Sequence, residues 1–164
     1  MTETRSYEYD RIADIKRLQY IEKRLKDAVP AGSDILDVGC GNGVISRFLG
    51  SLGYNVLGVD VDEPSIKKAT AKNNLPNVRF EVKSAEQLVA EGKRYDAVIC
   101  SEVLEHLNQP GDLLKTLHSS LKDDGVLVLH QLLHDGLQTL FKLATVFCTG
   151  NQCCQVQRDH SFIK

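Results

Sequence analysis

Short apolar runs alternate with stretches of helical period along this chain of 164 residues, and that alternation constrains the fold more than anything else in it. Residues 5–29 carry Ile12, Ile15, Leu18, Ile21, Leu25 and Val29 at three- and four-residue steps, the spacing of one helix face. Pro30-Ala31-Gly32 then stops the helix. Strand-like runs follow at 35–38, 55–60, 78–82, 95–100 and 126–129. Helical patterns over 45–52, from Asp62 to about Asn74, over 85–91 and from Pro110 to Leu121 separate them, and residues 136–147 read as a last helix. Strands alternating with helices build a parallel sheet covered on both faces. Right-handed crossovers restrict this to a doubly wound α/β sheet. The expected order is 3-2-1-4-5.

The residues between the first strand and its helix are Asp37-Val38-Gly39-Cys40-Gly41-Asn42-Gly43. In a doubly wound sheet a ligand lies at the carboxyl ends of the strands, beside the first one. Glycines there allow a sharp turn and let a ligand approach the backbone closely. The following helix offers its free N–H groups. A dinucleotide fingerprint needs its third glycine three residues after the second, and Val44 stands there. Asp37 would repel a pyrophosphate but could hold an ammonium group. Both features disfavour an NAD-linked oxidoreductase and favour a zwitterionic nucleoside. Asp60 ends the second strand, where a carboxylate accepts from both ribose hydroxyls; a turn or helix-cap role competes, because Asp62-Glu63-Pro64 follows.

These segments resemble class I S-adenosylmethionine-dependent methyltransferases. Asp37 to Gly43 resembles the family's first motif and Asp60 its ribose-binding acid. Ser84-Ala85-Glu86 is similar to the segment beside the adenine, and Tyr95 to His106 to the fourth-strand motif. Leu121 to Val128 resembles the approach to strand five. The likeness covers about residues 30–130, and Glu-Val-Leu-Glu-His is similar to small-molecule O-methyltransferases of the ubiquinone-biosynthesis type. The resemblance implies S-adenosylmethionine as cofactor and a small-molecule acceptor. It implies that Gly39, Cys40, Gly41, Asn42 and Gly43 pack against the methionine part, with Asp37 on its amino group. Val61 and Ala85 would contact the adenine, Glu86 would lie near its exocyclic amine, and Ser101 and Glu102 would lie near the sulfonium. Residues 1–148 are then one cofactor-binding methyltransferase domain with its core at 33–130, and 149–164 an irregular tail.

Glu102, Glu105 and His106 would share one face of a helical segment. They could cap the fourth strand, supply His106 as a general base, or hold a divalent metal. No fourth metal ligand is evident, with His130 and His134 unplaced, so His106 is the catalytic candidate and no metal is assigned. The charge balance, 20 basic against 22 acidic residues, is not that of a nucleic-acid binder. Five cysteines without C-x-x-C spacing read as reduced thiols, and the polar N-terminus and lack of a long apolar run suggest a cytoplasmic chain without a membrane span. Relative to the family, the chain looks truncated after strand five. Val126 to His130 would then be an exposed edge open to self-association. A catalytically weakened cofactor-binding regulatory subunit is the alternative to an enzyme.

Overall fold

A computed structural model describes residues 12–135, 138–142, 144–149 and 152–158. Helix α1 (Ile12–Ala28) is followed by β1 (Asp34–Val38), α2 (Val44–Ser51), β2 (Asn55–Asp60), α3 (Glu63–Ala71), β3 (Val78–Val82), α4 (Ala85–Glu91) and β4 (Tyr95–Ser101). A single 3₁₀ turn, Leu104–His106, leads to α5 (Pro110–Ser119), β5 (Leu121–Asp135), β6 (Gln138–Lys142), β7 (Ala144–Thr149) and β8 (Gln152–Arg158). The order β3-β2-β1-β4-β5 is parallel throughout, as expected from the sequence.

Each strand serves two cores because successive side chains point to opposite faces. Ile35, Val56, Ile99 and Val128 join Leu18, Ile21 and Leu25 of α1 and Phe48 and Leu49 of α2 on one face. Leu36, Leu57, Val98 and Leu127 join Leu88 of α4 and Leu113 and Leu117 of α5 on the other. The continuous apolar runs seen in sequence are therefore strands buried on both sides. Truncating Leu36 or Ile99, both fully buried, would cost about 2–5 kcal/mol.

Local signals place the helix starts. The Asp62 side chain accepts from Ser65 N at 3.0 Å to cap α3, with Pro64 in its first turn. Ser84 and Gln87 form a reciprocal capping box on α4, at 2.8 and 3.4 Å. Pro110 opens α5.

Four expectations need correction. The expected helix over 136–147 is replaced by β6 and β7, which run antiparallel to β5. Its apolar residues suit a strand as well as a helix, and periodicity alone cannot separate the two. Strand β7 pairs with β5 at Leu127↔Val146 and Val128↔Thr145, so that stretch is not the exposed edge on which self-association was premised. The segment 149–164, expected to be irregular, contains β8, paired with β7. Strand β5 begins earlier than the run at 126–129, at Leu121, and its register against β4 shifts between Tyr95↔Leu121 and Ala97↔Val126. The part of the first helix expected at 5–11 lies outside the described residues.

Candidate functional site

A cavity of about 560 Å³ opens at the carboxyl ends of β1, β2 and β4. It is lined by Val38 and Gly39 from β1, by Val59, Asp60 and Val61 from β2, and by Ser84 and Glu86 at the start of α4. Glu102, Val103, His106 and Leu107 line it after β4, and Gln109, Asp112 and Leu113 at the start of α5. The volume lies in the range of small-molecule sites, and the position is the topological switch point of the sheet.

The glycine loop is built as a strand-to-helix turn. Gly39, Gly41 and Gly43 all have positive φ, at 73°, 52° and 76°. Gly39 N and Cys40 N both donate to Val59 O, at 2.8 and 3.0 Å, which holds the loop against β2. A Cβ at Gly39 would overlap the Val103 side chain, and one at Gly43 would overlap Phe80. A Cβ at Gly41 would meet open space.

Asp60 sits at the lip of this turn. Its Oδ2 accepts from Gly41 N at 2.8 Å and its Oδ1 from Asp62 N at 2.9 Å. The helix cap is supplied by Asp62, so Asp60 is not spent on that role. Asp37 is different. It is buried, accepts from the Ser46 hydroxyl at 2.6 Å, and does not line the cavity. Burial pushes its carboxyl up to about 6, against the opposing effects of Ser46 and Arg17.

Of the other residues predicted for the cofactor, Gly39, Val61, Ser84, Glu86 and Glu102 line the cavity. Cys40 is buried behind it, and burial, with the Asp37 and Asp60 carboxylates, pushes its thiol pKa far up. Gly41 and Gly43 shape the loop from outside the cavity lining, and the exposed Asn42 offers its carbonyl to Arg47 Nη1 at 2.8 Å. Ala85 starts α4. Ser101 is buried, 3.5 Å from His130 Nδ1.

The triad drawn from sequence does not form one helical face. Glu102 precedes the 3₁₀ turn with φ 59°, in the left-handed region. The exposed His106 lines the cavity. The Glu105 side chain lies outside the described residues. Among the described residues no group of three or more His, Cys, Asp or Glu is arranged to hold a metal ion. Sequence reasoning missed Arg17 and His130. Arg17 Nη1 lies 3.4 Å, and His130 Nδ1 3.2 Å, from Glu102 Oε1. No local signal marks either, because the pairing exists only once α1, β4 and β5 are packed.

A family model described as a methyltransferase domain matches residues 7–164. The chain belongs to the class I S-adenosylmethionine-dependent methyltransferases. A ubiquinone biosynthesis O-methyltransferase of Xanthomonas axonopodis is 38% identical over 120 residues, 71% of this chain and 48% of that protein. One from Caulobacter vibrioides is 37% identical over 105 residues, 62% of this chain and 41% of its own length. The chain thus spans about half the length of these curated relatives or somewhat less. Among solved structures, the magnesium protoporphyrin IX methyltransferase of Synechocystis with bound SAH aligns at TM-score 0.64 and 26% identity. That alignment covers 74% of this chain and 57% of the other. Coclaurine N-methyltransferase, at TM-score 0.63 and 21% identity over 77% of this chain and 39% of its own, shares the fold. Among the described residues no helix of this methyltransferase chain is long and apolar enough to cross a membrane.

The residues present fit the family's cofactor. Gly39 lines the cavity at a place where a Cβ would overlap Val103, and Asp60 lines it with a carboxylate. Val61 is an exposed apolar residue on the cavity wall.

Proposed function

We propose that the chain transfers a methyl group from S-adenosylmethionine to a hydroxyl of a small acceptor with an apolar body. The single observation that carries this reading is the cavity at the tips of β1, β2 and β4, lined by Gly39, Asp60 and His106 together. The oxygen acceptor is supported by the names of the curated relatives, and the apolar body by Val103, Leu107 and Leu113 in the wall.

The bound cofactor supplies an activated methyl on a sulfonium. Asp60 orients the sugar hydroxyls. Val61 and Glu86 flank the ring, and the glycine loop allows close approach of the methionine part. Val103 and Leu107 exclude water and hold the acceptor in line, which is most of what such a transfer asks of a protein. The acceptor hydroxyl would have to lose its proton as it takes the methyl, with S-adenosylhomocysteine as the leaving group. His106 is the residue we assign to receive that proton.

The test is titration of the purified chain with S-adenosylhomocysteine, followed by transfer of labelled methyl to phenols and benzoates that differ in ring hydroxyls and apolar substituents. One-to-one binding and label on oxygen are expected. His106→Ala should lower kcat by about a hundredfold or more while Kd for S-adenosylhomocysteine stays within about twofold. Equal loss of both would remove the role of base. Binding without transfer to any acceptor would favour the regulatory alternative.

A further inference from the structure

The start of α4 brings Ser84 and Glu86 to the cavity wall, yet little holds this helix in place. It is seven residues long. A helix so short does not persist in water by propensity alone. Among its described side chains Leu88 is the buried one, packed in the core with Tyr95 and Leu113, while Val89 is exposed. The capping box of Ser84 and Gln87 secures the first turn.

The other end is held by charge. Glu91, the last residue of α4, brings Oε1 to 2.6 Å from Lys83 Nζ. Glu81, on β3, brings Oε2 to 2.5 Å from the same nitrogen. Lys83 thus bridges the end of the helix and the strand that precedes it. Its side chain is 13% exposed, and the two carboxylates raise its pKa above the ordinary lysine value, so it is charged near neutral pH. Exposed ion pairs are worth little, but a pair whose cation is mostly buried is screened far less. The Lys83 N–H donates to Asp60 O at 3.0 Å, which fixes the backbone of this residue to β2 just before the chain enters α4. Lys83 lines the cavity, and Glu81 and Glu91 do not.

Glu86 is placed to tell one purine from another. Ser84 beside it holds its carboxyl below the ordinary range, so the group is ionised near pH 7 and only accepts hydrogen bonds. Such a group suits a ring that carries an amino group and repels one that carries an oxo group at the same place. We propose that Lys83 is a positioning residue for purine recognition: by tying Glu91 to Glu81 it anchors the end of α4, and so holds Glu86 where it reads the exocyclic group of the ring. This deepens the reading that the cavity takes S-adenosylmethionine, and rests on it.

Calorimetry with S-adenosylhomocysteine and with S-inosylhomocysteine, in which an oxygen replaces the exocyclic amine, tests it. The wild-type chain should favour the adenosine compound by roughly tenfold or more, the worth of one hydrogen bond to a charged group. Glu86→Gln, whose amide both donates and accepts, should bring the two compounds within about twofold of each other. Lys83→Met keeps a stem but loses the charge. It should cut the preference by about threefold or more, the lower end of what one hydrogen bond is worth, while Kd for S-inosylhomocysteine stays within about twofold. Lys83→Arg, which keeps the charge and offers a fork to the two carboxylates, should restore the preference. A lysine that only stabilised the fold would weaken both compounds together. Should Lys83→Met melt below the assay temperature, Glu91→Gln, which alters a partly exposed side chain, takes its place with the same expected loss. A preference that survives loss of the Lys83–Glu91 pair, parallel weakening of both compounds, no recovery in Lys83→Arg, or equal binding of the two by the wild-type chain overturns the proposal and leaves the cavity reading standing. Binding of neither compound to the wild-type chain overturns both.

Discussion

The tips of β1 and β2 hold their carboxylates in a different way from the tips of β4 and β5. Asp60 is fixed by two backbone N–H groups, from Gly41 and Asp62, and Asp37 by a hydroxyl nine residues further along the chain. Every partner lies within one strand-turn-helix unit or its neighbour. Glu102, by contrast, lies 3.4 Å from an arginine of the first helix and 3.2 Å from a histidine of the fifth strand. The first arrangement needs glycines and a close backbone. The second needs the whole domain assembled. A site can thus be rigid at one end because of its local chain geometry, and at the other only because distant elements dock.

The largest effect that would break this contrast is at Gly39. Gly39→Ala combines φ 73° with overlap onto Val103, and should lower S-adenosylhomocysteine affinity by about a hundredfold or more and the melting temperature with it. Gly41→Ala, where φ is 52° and the added methyl meets open space, should cost only the left-handed backbone, about 1–2 kcal/mol in a melting experiment. Equal effects at the two positions would mean that close approach to the backbone is not what the loop provides.

Two buried titratable groups, Asp37 and His130, sharpen the contrast, because their linkage signs oppose. Asp37 has an ordinary value of 3.8 and about 6 in the fold, so the folded chain binds more protons between those values and stability falls as pH rises through them. His130 has an ordinary value of 6.5 and about 4 in the fold, so the unfolded chain binds more protons and stability falls as pH drops from 6.5 toward 4. In the wild type the two trends offset each other across about pH 4–6. Asp37→Asn should raise the melting temperature at pH 7.5, by up to about 3 kcal/mol of stability, and the gain should vanish near pH 4. His130→Asn should leave a chain whose melting temperature rises on acidification through the same window. Parallel melting curves for the two variants would show that neither group is buried as described.

Much of this was legible in the sequence. The order of the five parallel strands followed from apolar runs alternating with helices, and the helix starts at Asp62 and Pro110 from a capping carboxylate and a first-turn proline. The positions of Gly39 and Asp60 followed from the turn that a strand-to-helix unit requires. The strands after His130 were not legible, since apolar residues such as Leu140, Phe141, Val146 and Phe147 suit either period until the strand they pair with is known. Nor was the orientation of Asp37. A carboxylate two residues before a glycine loop can face the ligand or the following helix, and Ser46, one turn into α2, decides for the helix. The approach of Arg17 and His130 to Glu102 was not legible, because the three are far apart in the chain.

The account stands most directly on titration of the chain with S-adenosylhomocysteine, comparing wild type with Asp60→Ala. One-to-one binding should weaken by about thirtyfold or more when both ribose bonds are lost, roughly 2 kcal/mol, while the fold still melts cooperatively. Unchanged affinity in Asp60→Ala, or no heat from the wild-type chain, would contradict it.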